Sequence, residues 1–197
     1  TSASSSTFWR GDGAWAAAGA TPGLLKVGQV NLGVAGNLVI DNCFTTTYDN
    51  YLVVMENLTA TADSQNLRMR FRTGGASGAT DSTAQYRYGS RYFDDDGSVS
   101  SNTGVDQTQF TLSDDSEENA NYKGYNGTFT FYQPFKNTSS RYAGTGTFIR
   151  NNVADVVASY TAGHFDNDAI HTGLDFFYSS GGIRAGAVVI VYAFNEG

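Results

Sequence analysis

The sequence predicts an all-β fold: an antiparallel, jelly-roll-like β-sandwich preceded by a short extended N-terminal segment. Three observations predict it. The composition sets 13 Phe and 12 Tyr beside 23 Gly and only two Pro, and aromatic residues suit a pleated surface while glycine serves turns and bulges. Short apolar runs recur along the chain, divided by polar turns, and helix formers are scarce. Several of those runs alternate apolar and polar residues with period two, the mark of a strand with one buried face. A single domain of 197 residues buries about 70% of its unfolded surface, enough for a core without covalent staples.

In chain order, residues 1–23 form a lead: a Ser/Thr stretch, a turn bracketed by Trp9 and Trp15, an Ala-rich piece and the break Thr21-Pro22-Gly23. Residues 24–197 form the sandwich domain. Its candidate strands are 24–30, 37–44, 51–58, 66–72, 84–93, 107–112, 127–132, 146–150, 156–161, 174–178 and 187–194. The 66–72 strand puts Leu67, Met69 and Phe71 on one face and Arg68, Arg70 and Arg72 on the other. In 127–132, Phe129 and Phe131 alternate with Thr128 and Thr130. The last strand is apolar on both faces, so it is expected to lie centrally in a sheet or against a neighbouring subunit. Two polar stretches, 94–106 and 113–121, cannot fill a core and are expected at loop tips, where recognition is commonly placed.

Charge and motif content narrow the function. The formal net charge is −7, with only 16% charged residues, which argues against non-specific binding of nucleic acid or of an anionic membrane. No apolar run reaches the length of a membrane span, and residues 1–7 lack the basic head and apolar body of a signal peptide. The lone Cys43 sits among apolar residues and reads as a buried small hydrophobe, not a nucleophile. His164 and His171 flank Asp166-Asn167-Asp168, a group that a polar turn between two strands explains without a metal site, which would need several convergent ligands. The run Asp94-Asp95-Asp96-Gly97 is rich in oxygen but lacks the alternating spacing of a calcium loop. No nucleophile elbow, phosphate loop or zinc-protease motif is present. The expectation is a protein that is not an enzyme and carries no metal or cofactor.

Binding has more support. Tyr86, Tyr88 and Tyr92 share one strand face, with Arg87 and Arg91 on the other, and Tyr122 and Tyr125 flank the acidic loop. Tyrosine joins a rigid apolar disc to a polar tip, which suits sugar rings and protein interfaces; the plain alternative for the three strand tyrosines is a place in the core. The arginine stripe 68/70/72 reads as a solvated face with cross-strand carboxylates, or more sharply as a subunit interface.

The run from Phe8 through Trp9, Arg10, Gly11, Asp12, Gly13, Ala14, Trp15 and Ala16 holds both tryptophans of the chain around a turn. It resembles the "aromatic, Arg-Gly-Asp-Gly, small residue, Trp, Ala" element that recurs in bacteriophage tail-fibre and related virion appendage proteins, ahead of a β-structured distal domain. The Arg-Gly-Asp triplet alone also resembles a cell-adhesion sequence, but the flanking tryptophans fit the phage element better. Phe44, Thr45, Tyr48, Asp49, Asn50 and Tyr51, then the alternating 67–71 strand, Gly74-Gly75 and the closing 179–186 turn with Tyr192, resemble a β-sandwich module of phage structural proteins. The chain departs from that module at Ala193, where glycine is usual.

The resemblance implies a virion protein made in the bacterial host cytoplasm, working as a homotrimer beside other virion proteins. A distal tail-fibre domain would adhere without covalent chemistry to host surface glycan or protein. The alternative is a purely structural role as a capsid decoration, head-fibre or tail-connector protein. Expected receptor contacts are Tyr122, Tyr125, Asp95, Asp96 and Asn119, from the long polar loops. Expected attachment residues are Trp9, Arg10, Asp12 and Trp15.

Overall fold

A computed structural model describes residues 7–9, 15–17, 23–114, 124–150 and 156–195. Every strand pairing in it is antiparallel. β1 (Thr7–Trp9) and β2 (Trp15–Ala17) form a two-stranded ribbon in which Trp9 stands opposite Trp15. An eight-stranded sheet runs in the order β3 (Gly23–Asn31), β14 (Val188–Asn195), β5 (Asn50–Leu58), β10 (Tyr125–Tyr132), β11 (Thr138–Ile149), β12 (Val156–Ala169), β7 (Tyr86–Asp94) and β8 (Val99–Gln107). A four-stranded sheet, β4 (Leu38–Ile40), β13 (Gly173–Tyr178), β6 (Leu67–Arg72) and β9 (Phe110–Thr111), packs on its inner face. The chain is therefore an all-β sandwich, as its composition and alternation predict.

The period-two segments sort as expected. Leu67, Met69 and Phe71 are buried, as are Phe129 and Phe131. The arginine stripe faces outward from the small sheet, and two of its three members are held within the chain: Arg72 pairs with Asp41 at 2.7 Å, while Arg70 donates to the Thr108 carbonyl and lies 4.7 Å over the Phe177 ring. In β14, Val189, Val191 and Ala193 enter the core, and their alternates lie half-covered or exposed on the outer face.

Three expectations are corrected. The stretch 94–106, expected as a loop tip, contains β8, the edge strand of the large sheet. An edge strand satisfies one side of its backbone on β7 and leaves its side chains in water, so polar composition does not forbid it. The segment Asp166–Asp168, expected as a turn, continues β12. Tyr125, expected in a surface loop, starts β10 and is wholly buried, its hydroxyl 3.3 Å from Ser159 Oγ.

The layer between the sheets is largely aromatic. Phe71 from the small sheet meets Phe131, Phe165 and Tyr86 from the large one at ring separations of 6.0, 6.1 and 6.3 Å. Phe110 stands over Tyr142 at 4.5 Å. Such tilted and edge contacts add to the burial of large apolar area. Two of the tyrosine hydroxyls are carried to partners at the margins: Tyr86 donates to the Asp81 carbonyl at 2.7 Å, and Tyr51 pins the 45–48 turn by accepting from the Thr45 amide at 2.8 Å. Inward glycines make room for the rings. A Cβ on Gly146 would stand 2.1 Å from the Tyr125 hydroxyl, and one on Gly144 would stand 2.1 Å from both the Phe129 ring and the Thr128 carbonyl. On the outer face of the same sheet, a Cβ at Gly89 meets nothing within 4 Å. Gly144→Ala is expected to lower unfolding free energy by about 1–3 kcal/mol through overpacking, with Gly89→Ala no less stable than the parent, as read from urea denaturation.

His171 is buried in this layer. Its ring stacks on Phe71 at 4.1 Å with a 13° tilt, and Nδ1 lies 2.9 Å from Ser140 Oγ. Burial disfavours the imidazolium and lowers the pKa from 6.5 to about 4. The folded protein thus refuses a proton that the unfolded chain accepts. Stability is whole above about pH 6.5 and falls as the pH drops from there toward 4, by up to about 3 kcal/mol. Asp175, whose carboxyl burial pushes upward, titrates in the opposite sense. The readout is therefore the difference in Tm-versus-pH slope between parent and His171→Gln, with the variant flatter over that interval.

Candidate functional site

Pairing register assembles the site from the outward residues of the large sheet. Asn50, Tyr132, Arg141, His164 and Arg87 stand opposite one another across β5, β10, β11, β12 and β7. The next row on the same face reads Leu52, Thr130, Ala143, Ala162, Gly89 and Thr103, ending on β8. Five of those six are glycine, alanine or threonine, so this row is low, and the backbone there forms a floor. The third row brings Tyr160 of β12 opposite Arg91 of β7.

The result is an open furrow of about 1120 Å³ running across the strands, floored by Gly89, Ala143 and Ala162 and bounded by Tyr132 at one end and by Thr103 and Val105 at the other. From β10 to β8 it crosses four inter-strand steps of about 4.8 Å, or roughly 19 Å. A shallower hollow of about 530 Å³ lies beyond Tyr160 on the same face, floored by Thr128, Thr145 and Ala158 and edged by Phe93. Tyr132, Phe93 and Tyr160 are 44%, 48% and 50% exposed, high values for aromatic side chains in the middle of a sheet face.

Charge within the furrow is unevenly settled. Arg87 is ion-paired at 2.9 Å with both Asp106 and Asp166, and His164 Nε2 lies 3.7 Å from Asp166. Arg141, exposed between Tyr132 and His164, makes no side-chain hydrogen bond or ion pair among the described residues.

The residues expected from sequence to form the site are scattered. Asp95 and Asp96 lie at the exposed β7–β8 hairpin, one oxygen of each committed locally: Asp95 accepts from the Val156 amide at 3.3 Å and Asp96 from the Ser98 amide at 2.7 Å, a bond that lowers the Asp96 pKa. Asp94 below them is ion-paired to Arg150 at 2.7 Å, and Arg150 also reaches Asp114 at 3.0 Å. The acidic run is thus a hairpin turn closed by Gly97 at φ 87° and clamped by an arginine. Tyr125 offers no surface. Tyr122, Asn119, Arg10 and Asp12 lie outside the described residues, as do the side chains of Trp9 and Trp15. Tyr86 and Tyr92 are core residues, and Tyr88 donates to Thr111 Oγ1 at 3.0 Å. Cys43 is buried, which pushes its thiol up to about 12.

Sequence reasoning passed over Tyr132, Tyr160 and Arg141. Their signal was present: Thr128 and Thr130 alternate with Phe129 and Phe131, and outward small residues on several neighbouring strands define a low surface. Which strands are neighbours is the missing information. No group of three or more metal-binding side chains converges among the described residues, and no helix there is long and apolar enough to cross a membrane. No family model matches the chain, and no curated protein and no solved structure matches it.

Removing Arg150 strands the 3%-exposed Asp94 carboxylate. Arg150→Met is expected to cost about 3 kcal/mol, with part recovered in the double variant Asp94→Asn, Arg150→Met, measured as a double-mutant cycle by urea denaturation.

Proposed function

We propose that this chain is a non-catalytic recognition domain of a bacteriophage virion appendage, adhering to host surface glycan through the furrow on its large sheet. The observation that carries this reading is the furrow: an open trough that crosses five strands, with a glycine and alanine floor, the exposed Tyr132 at one end and the exposed Tyr160 beside it. Extended polymers need an open-ended trough, and sugar rings pack their apolar faces on aromatic discs while their hydroxyls find polar side chains. The Trp-bracketed element ahead of the sandwich supports the virion setting, with Trp9 and Trp15 opposite each other in an antiparallel strand pair that would dock on a neighbouring virion protein. Several weak sites held in one homotrimeric fibre bind together with far higher avidity than one alone.

A second reading is favoured by the corner where Leu24 and Phe194 meet, beside the half-covered outward face of Ile190 and Tyr192. Apolar area of this kind suits a subunit joint, and a capsid-decoration or connector protein would use it with no host ligand.

Adsorption of the labelled full chain to host cells separates the two. Tyr132→Ala and Gly89→Val are each expected to weaken adsorption about tenfold with unfolding free energy unchanged within ~1 kcal/mol. Adsorption indifferent to both substitutions sinks the furrow reading. Incorporation into particles alongside that indifference points to the structural role.

A further inference from the structure

We infer that the furrow is built for an acidic polysaccharide, with Arg141 as the residue that reads the ligand's carboxylate or other anionic group. This rests on the adhesion reading above and names its ligand class.

Arg141 is one of three arginines, with Arg68 and Arg91, that make no side-chain hydrogen bond or ion pair among the described residues, and of the three it is the one that lines the furrow. Arg72, Arg87 and Arg150 are each tied to carboxylates, Lys136 is tied to Asp49, and Arg70 is tied to Thr108 and Gln109. Arg141 stands in the furrow with none of these ties among the described residues. A guanidinium presents a planar fork of donors that matches a carboxylate or sulfate with two parallel hydrogen bonds. On a chain of net charge −7, an unneutralised arginine in a trough is a local exception to a field that repels polyanions. That combination selects a ligand with spaced charges, held along its length by packing, over one that is densely anionic. Arg91 stands beside Tyr160 on the ridge that divides the two hollows, within reach of a second charge along the same polymer.

The neighbouring groups fit the assignment. Asp106 and Asp166 are occupied by Arg87, so they do not oppose an incoming anion in full. Tyr132 is the register partner of Arg141, which places an exposed ring beside the guanidinium, the pairing needed to stack a sugar and bind its acid group together. The floor at Ala143, Ala162 and Gly89 leaves the backbone open to the polymer. An acidic peptide would also seek Arg141, but the floor lacks the deep apolar pockets that hold side chains of an extended peptide.

The test is affinity electrophoresis of the full chain in native gels that contain polygalacturonate, hyaluronate, dextran or polyglutamate. Retardation by one or both polyuronides is expected, weakened by added salt, with none from dextran or polyglutamate. Arg141→Gln is expected to lower the affinity about tenfold, the loss of one charge-assisted pair; Gly89→Val, which has free space around its side chain, should do likewise by filling the floor. Arg70→Gln, on the opposite sheet, should leave the retardation as it was, and circular dichroism establishes that each variant is folded. Equal retardation by dextran means a neutral glycan, and equal retardation by polyglutamate means charge alone; either overturns the assignment. Lack of retardation in every gel also overturns it. If adsorption to host cells persists in that case and still depends on Tyr132, the adhesion reading stands without an acidic ligand; if adsorption is absent too, both fall.

Discussion

The constraint on which the rest depends is the filling of the inter-sheet layer by aromatic rings seated over glycines. Phe71, Phe110, Phe131, Tyr142 and Phe165 occupy one continuous layer, and inward positions at Gly144, Gly146 and Gly163 are bare because rings or backbone already hold the space where a Cβ would stand. Rings are rigid and large, so a small number of them fixes the separation and the relative placement of two sheets more firmly than the same area in flexible side chains. The cost is intolerance: a methyl added under a ring has nowhere to go.

The same device shapes the outer surface. Along β10, β11 and β12 the inward residues are bulky side chains, glycines and the buried Ser140, Ser159 and Thr161, and the outward ones include Thr, Ala, Tyr, His and Arg. Because strand pairing aligns outward residues in rows, small side chains on adjacent strands sum to a trough, while Tyr132 and Tyr160 rise from it. The trough is thus backed by the aromatic layer directly beneath it. A recognition surface on a sheet face is held more rigidly than one on loops, and little ordering entropy is lost when a ligand binds it.

Several polar groups are buried between the sheets, and some of them, the Tyr92 and Tyr142 hydroxyls included, have no hydrogen-bond partner among the described residues. His171 is held neutral between Phe71 and Phe165 with Ser140 on Nδ1, and its burial links the integrity of the core to acidity. Asp94 is ion-paired to Arg150 at the base of the β7–β8 hairpin. On the large sheet's outer face Arg87 is balanced by Asp106 and Asp166, while Arg91 and Arg141 have no such partner among the described residues.

How much of this was legible in the sequence follows from the range of each interaction. Period-two alternation at Leu67, Met69 and Phe71, or at Phe129 and Phe131, is a local property, so strands, burial of those faces and the all-β class could be read directly. Edge strand β8 escaped because a strand that buries only Gly104 has no apolar alternation to show. Tyr125 was misplaced for the opposite reason: it lies two residues before Gly127 and next to a polar run, and only its packing on Phe129 and Phe148 puts it inside. The furrow was out of reach altogether. Sequence determined that Thr130, Ala143, Ala162 and Gly89 would be small; tertiary structure alone decided that they would stand side by side, because strand order in a sheet is set by contacts between residues far apart in the chain.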